Sequence, residues 1–106
     1  MANRYRGEVD AVLDGRPFTL CLTLGALAEL EDLFQAADVA ALAERFAAGR
    51  LKARDLVAIV GAGLRGAGHE VSNEEVARMR IEGGAAGFAD LAVRLLAATF
   101  GGPESA

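Results

Sequence analysis

The first residues in this sequence that invite a chemical reading are three glycines at the spacing of a dinucleotide fingerprint. Val57, Ala58, Ile59 and Val60 form an apolar run, and Gly61, Gly63 and Gly66 complete G-x-G-x-x-G behind it. In a nucleotide-binding fold this pattern follows a buried strand, turns the chain tightly and opens a helix whose N-terminal amides meet a pyrophosphate. Glu82 even lies downstream, where an acid would take a ribose hydroxyl. The surroundings refuse the reading. The run continues back through Arg54, Asp55 and Leu56 with helical period, so no strand precedes the glycines. After Gly66 comes Ala67-Gly68-His69-Glu70 and then a fresh helix start, so no crossover helix opens there. The sequence instead predicts that Gly61, Ala62 and Gly63 smooth a helix face for close packing, and that Gly66 and Gly68 end the helix.

The other reactive side chains are few. His69 is the single histidine and sits in a predicted turn, where the expectation is an exposed residue without the nucleophile and orienting acid that catalysis needs. Cys21 stands alone, so it forms no internal disulfide, and with no basic neighbours to activate it the expectation is a half-buried small hydrophobe. One His and one Cys do not complete a zinc site. Glu29, Glu31 and Asp32 make one helix surface acidic, which is the ordinary pattern of a solvated face, with a partner-binding face the alternative. No P-loop, nucleophile elbow or paired-carboxylate arrangement occurs. The expectation is a protein that catalyses nothing and uses neither cofactor nor metal.

The elements that carry these residues follow from periodicity and punctuation. Residues 6–22 read as a β-hairpin turning at Asp14-Gly15, a pair suited to the positive φ of a two-residue turn. That turn pairs Leu13 with Arg16, Ala11 with Phe18 and Val9 with Leu20. Val9, Ala11, Leu13, Phe18, Leu20 and Leu22 then share an apolar face, with Glu8, Asp10, Thr19 and Cys21 opposite. Pro17 marks its strand as an edge. Thr23 caps a first helix to about Gln35, with Leu24, Leu27, Leu30, Leu33 and Phe34 along its buried side. Asp38 caps a second, carrying Val39, Leu42 and Phe46 and ending at Gly49. A third spans about 53–66, with Leu56, Ile59, Val60, Gly63, Leu64 and Ala67 on one face. Ser72 and Glu75 form a capping box for a fourth, running to about Ile81 with Val76 and Met79 inside. Gly83-Gly84 breaks the chain before a last helix over about 85–100. Its inner side carries Phe88, Leu91, Ala92, Leu95, Leu96 and Thr99, and Asp90 and Arg94 pair outward. The predicted fold class is α+β, mostly α: an N-terminal hairpin followed by four to five short packed helices.

Bulk properties set the outer bounds. The 106 residues suit a single domain frayed at residues 1–5 and 101–106. A net charge of −4, with eleven basic residues scattered among fifteen acids, argues against direct nucleic-acid binding. The 53% hydrophobic fraction and mean hydropathy of +0.27 are rich for a soluble chain, but much of this is alanine. No segment has the length of a membrane span and no signal-peptide stretch opens the sequence, so the expected location is cytoplasmic.

Two strings carry a resemblance. Asn3 to Val9 together with Leu13 to Glu31, and Leu56 to Gly68, resemble the small tail protein of bacterial gene transfer agents, phage-derived particles that package host DNA. The likeness runs from Asn3 to about Phe100 and brings no active site with it. Proteins of this group are called tail tube proteins and also tail assembly chaperones. A tube subunit would be dominated by a β-sandwich, whereas one hairpin is found here, so the resemblance and the helix weight together favour the chaperone. The implied job is to coat the helical tape-measure protein, keep it soluble and release it as tail tube subunits polymerise, with particle membership as a tube or tube-adjacent subunit the alternative. A groove between hairpin and first helices, or between third and last helices, would receive the partner helix. Leu27, Leu30 and Phe34 are the candidate anchors, each equally suited to the core that the hairpin must bury. A homo-oligomer stays open, because small apolar-rich domains also complete their cores against copies of themselves.

Overall fold

The computed structural model describes residues 7–48 and 51–100. Its first element pair is the hairpin, with β1 (Glu8–Leu13) antiparallel to β2 (Arg16–Cys21) in a two-stranded sheet. The register is the one the turn dictates, Leu13 opposite Arg16, Ala11 opposite Phe18 and Val9 opposite Leu20. Asp14 and Gly15 both take positive φ, 54° and 73°, as a primed hairpin turn requires. Val9, Ala11, Leu13, Leu20 and Leu22 are buried, Phe18 is half-buried, and Pro17 is exposed on the edge. The predicted start at Arg6 lies outside the described residues.

Among the described residues five helices follow: α1 (Leu24–Phe34), α2 (Val39–Ala47), α3 (Ala53–Gly66), α4 (Asn73–Ala77) and α5 (Gly84–Phe100). The α+β, mostly α architecture is thus as the sequence reads. The caps fall where side-chain chemistry places them. Thr23 Oγ1 accepts from the Ala26 amide, Asp38 Oδ1 from the Ala41 amide, and Ser72 and Glu75 exchange bonds as a capping box. Each satisfies amides that the helix itself leaves without partners. The predicted end of α2 at Gly49 and the tail from Gly101 lie outside the described residues.

The core gathers around α3, which packs against β2, α1, α4 and α5. Ala58 to Leu64 are buried without a break, so the middle two turns of this helix are enclosed on every side and not on one face alone as the period suggested, while Arg54 and Arg65 keep its ends polar. Leu13, Leu20, Leu30, Leu42, Ile59, Leu64, Leu91 and Leu95 are fully enclosed, and each such side chain contributes about 1.5–3 kcal/mol of burial. Leu96 and Ala92 complete the inner side of α5. Asp55 is the buried acid that sequence reasoning passed over. Its carboxylate accepts from the Lys52 amide at 2.9 Å, capping α3 from inside its first turn.

Three expectations need correction. Leu24 and Leu33 are 82% and 55% exposed, because α1 buries the narrow stripe Ala26, Leu27 and Leu30 and these two leucines flank it. Val39, expected inside α2, is 39% exposed; Leu42 and Phe46 carry that helix's burial. The fourth helix stops at Ala77 instead of reaching Ile81. A tertiary pairing competes for its last turn: the Arg80 amide donates to Asp14 Oδ1 and the Asp14 amide to the Arg80 carbonyl, both at 2.8 Å. Two bonds to the hairpin tip outweigh another turn of helix.

Gln35 ends α1 in the left-handed region, φ 56°, in a double carbonyl closure where its own amide reaches Asp32 and that of Ala36 reaches Glu31. This is the geometry that glycine occupies without strain. Gln35→Gly is expected to raise stability by about 0.5–1 kcal/mol. A urea midpoint at or below that of the wild type contradicts it.

Candidate functional site

The glycine run is a packing device. A Cβ on Gly61 would overlap Asn73 Oδ1, and one on Gly63 would stand 2.6 Å from Leu95 Cδ2 and 3.3 Å from Leu20 Cβ. On Gly66 it would meet the Cys21 carbonyl oxygen. Each missing side chain is the seat of a different neighbour: α4, α5 and the end of β2. The helix then closes after Gly66, with Gly68 at φ +98° and the amides of Gly68 and His69 reaching back to Arg65 and Leu64. Gly68 thus ends the helix as expected, whereas Gly66 serves chiefly as a seat.

Inside the same run Arg65 is a strut that its sequence position concealed. Its Nη1 donates to the Val71 carbonyl at 2.9 Å and to Asn73 Oδ1 at 3.0 Å, and its Nη2 pairs with Glu29 on α1. One guanidinium therefore ties α3 to α1 and to the loop entering α4. Glu29, read as part of a solvated acidic face, has a fixed structural partner. His69 also departs from expectation. It is half-buried, with its ring edge-on to Phe18 at 5.0 Å and 82°, a packing role beside the hairpin.

Cys21 is half-buried at the end of β2. Burial, and then the Glu8 carboxylate opposite it in the sheet, raises its pKa above the ordinary thiol value. A raised pKa leaves less thiolate at a given pH. Alkylation of Cys21 at mildly alkaline pH is expected to run slower than that of a free cysteine peptide, and Glu8→Gln to speed it modestly. A wild-type rate equal to the peptide's contradicts this.

Of the candidate anchors, Leu27 and Leu30 lie in the core at 7% and 0% exposure. Phe34 is half-buried, edge-on to Phe46 at 5.4 Å with the Arg45 guanidinium over its ring at 5.1 Å. The structure brings these three to one side of α1, and only Phe34 keeps surface that a partner could reach. Between the third and last helices, Leu95 is seated on Gly63 and closes α5 onto α3 at that point.

A groove lies between the hairpin and the start of α5. This groove of about 640 Å³ is floored by Ala11, Val12, Pro17, Phe18 and Ile81 and rimmed by Asp10, Glu82, Asp90 and Arg94. Arg94 holds Asp90 at 3.0 Å, the outward pair the sequence predicts, and reaches the Asp10 carbonyl at 3.4 Å. Val12 in the floor is 58% exposed. Among the described residues no cluster of His, Cys, Asp and Glu stands ready for a metal, and no helix is long and apolar enough to cross a membrane.

Hairpin, caps, glycine seats and a groove define a small α+β domain in which Arg65, Asp14 and the capping side chains hold elements together. The chain belongs to the phage tail protein family described as phage tail tube protein, GTA-gp10, whose profile matches residues 6–102. It is a protein of phage-type tails and of the gene transfer agents related to them. No curated protein and no solved structure matches it.

Proposed function

We propose that this chain is a non-enzymatic tail assembly chaperone, which binds the tape-measure protein in the cytoplasm during tail assembly and releases it to the polymerising tube. The observation that carries the reading is the sheet content. Two strands are present among the described residues, and five helices make up the rest. A tube wall built by joining sheets from subunit to subunit draws on several strands in each. A small helical body with an open groove suits transient binding of a long partner.

The family description supports a second reading, in which the chain is itself a tube or tube-adjacent subunit. The composition of purified particles separates the two. Mass spectrometry of intact particles is expected to find the chain absent or at trace level, while co-expression with the tape-measure protein is expected to yield a complex that survives pull-down. Many copies per particle overturn the chaperone in favour of the tube. Failure to form a complex, with both proteins folded, overturns it outright.

A further inference from the structure

Among the described residues, α2 is the helix that no hydrogen bond or ion pair fastens to another element. Arg65 ties α3 to α1 and α4, and Arg94 ties α5 to β1. The bonds of α2 and of its cap Asp38 stay within the helix. What seats it is apolar and small in extent. Leu42 and Phe46 are its buried residues. Phe46 stands edge-on to Phe34 and 6.4 Å from Phe100 between ring centroids, and the Arg45 guanidinium lies over Phe34. Nine residues are too few for a helix that is stable by itself. Segments held by few buried contacts open locally, well before the domain unfolds.

Beside this seat α1 keeps an open strip. Leu24, Ala28 and Glu31 follow one another at helical steps toward Phe34. Leu24 and Ala28 are exposed and Glu31 is half-buried, and no ion pair among the described residues takes the Glu31 carboxylate. The strip thus runs from an uncovered leucine, past an acid, to the phenylalanine that Arg45 and Phe46 cover.

We propose that α2 is a displaceable cover, and that an amphipathic helix of a partner protein takes its seat, one bearing a leucine, a cation three positions on and a phenylalanine four positions on. The occupant's chemistry is read from α2, whose Leu42, Arg45 and Phe46 have that spacing, and from the acid on the strip. Its phenylalanine meets Phe34 and Phe100, its cation meets Phe34 and Glu31, and along α1 it covers Leu24. That last contact is the one α2 does not make, and it favours the open state with partner over the closed state without. A second copy of the chain is the poorer occupant, since its α2 offers only the contacts already made and is joined at both ends to its own domain. The inference deepens the chaperone reading and rests on it only for assigning the helix to the tape-measure protein.

Three measurements test it. Hydrogen exchange of the free chain is expected to be at least about tenfold faster for the amides of Leu42 to Ala47 than for those of Ile59 to Leu64; equal protection overturns the cover. A synthetic helical peptide repeating the leucine, arginine and phenylalanine spacing over three turns, titrated into isotope-labelled chain, is expected to shift Leu24, Phe34 and Phe100 and to move the α2 amides to unfolded positions. A peptide with alanine for phenylalanine should do neither. Loosening the cover should tighten binding, because more of the chain is then competent: about tenfold for Leu42→Ala and about threefold for Arg45→Ala, an exposed position that keeps the test open if the first variant does not fold. Leu24→Glu should weaken binding about tenfold. Helical α2 amides in the bound state, unchanged or weaker binding by Arg45→Ala, shifts centred on Val12 and Ile81, or dimerisation of the chain each overturn the proposal. The third measurement is capture of the tape-measure protein by wild type and Leu24→Glu. Undiminished capture by the variant removes the seat and leaves the chaperone standing. No capture by the wild type, with the peptide still displacing α2, removes the chaperone and leaves the seat.

Discussion

Gly66→Ala is expected to lower the stability of this chain by about 2–3 kcal/mol, although alanine is the better helix former by about 1 kcal/mol. The new methyl would overlap the Cys21 carbonyl oxygen and crowd the Thr23 amide at 3.4 Å. Both neighbours are backbone. The first belongs to a residue paired in the sheet with Glu8, and the second to the cap of α1, so neither can swing aside. Relief requires the end of α3 to lift from β2, which opens the core between Leu20 and Leu64. Overpacking of this kind costs about 1–3 kcal/mol and more where backbone must move. At the last residue of the helix the propensity gain is at its smallest, so the clash wins.

Two neighbours in the run calibrate the effect. Gly63→Ala meets the end of the Leu95 side chain, which can turn, and should cost about 1 kcal/mol. Gly68→Ala meets open space at a positive φ and should lose about 1 kcal/mol to backbone strain. Urea unfolding of the three variants checks the order, with Gly66→Ala lowest. If it unfolds at or above the wild-type midpoint, the seat at Cys21 is wrong.

What could be read from the sequence was whatever is encoded within a few residues. Asp14-Gly15 sets the whole register, since a two-residue turn leaves no freedom in the pairing that follows. Thr23, Asp38 and Ser72 announce their helices because each cap bonds an amide three positions on. Periodicity was less informative about depth. Leu24 and Leu33 have the right spacing for a wide buried face on α1, yet how wide a face is covered depends on the neighbours, and here only Ala26, Leu27 and Leu30 are covered in full. The end of α4 was hidden for a related reason. Asp14 and Arg80 lie 66 residues apart, and no local pattern at Arg78 or Met79 reveals that the hairpin tip will claim the next amide. The groove was equally hidden, because it arises where β1, Ile81 and α5 converge and none of the three carries it alone.

Arg65 is the clearest case of a role invisible in one dimension, and its removal has the second large expected effect. Arg65→Met keeps the stem and the helix preference but withdraws the guanidinium from Val71, Asn73 and Glu29 together. The parts are unequal. The Glu29 carboxylate is largely exposed, at 44% of its side chain, so its ion pair is screened and worth well under 1 kcal/mol. The Val71 carbonyl and Asn73 carboxamide are half-buried beside Gly61, and leaving them without a charged donor costs about 1–3 kcal/mol. A loss of about 2 kcal/mol for Arg65→Met is therefore expected, against less than about 0.5 kcal/mol for Glu29→Gln. Arg65→Lys should recover only part of the loss, since an ammonium lacks the planar fork that serves two acceptors while reaching a third. Only the Glu29 share should fade in high salt. Double-mutant cycles of Arg65→Met with Asn73→Ala and with Glu29→Gln measure the partition. Coupling concentrated on Glu29 would mean that the surface pair, and not the half-buried one, fastens α3 to its neighbours.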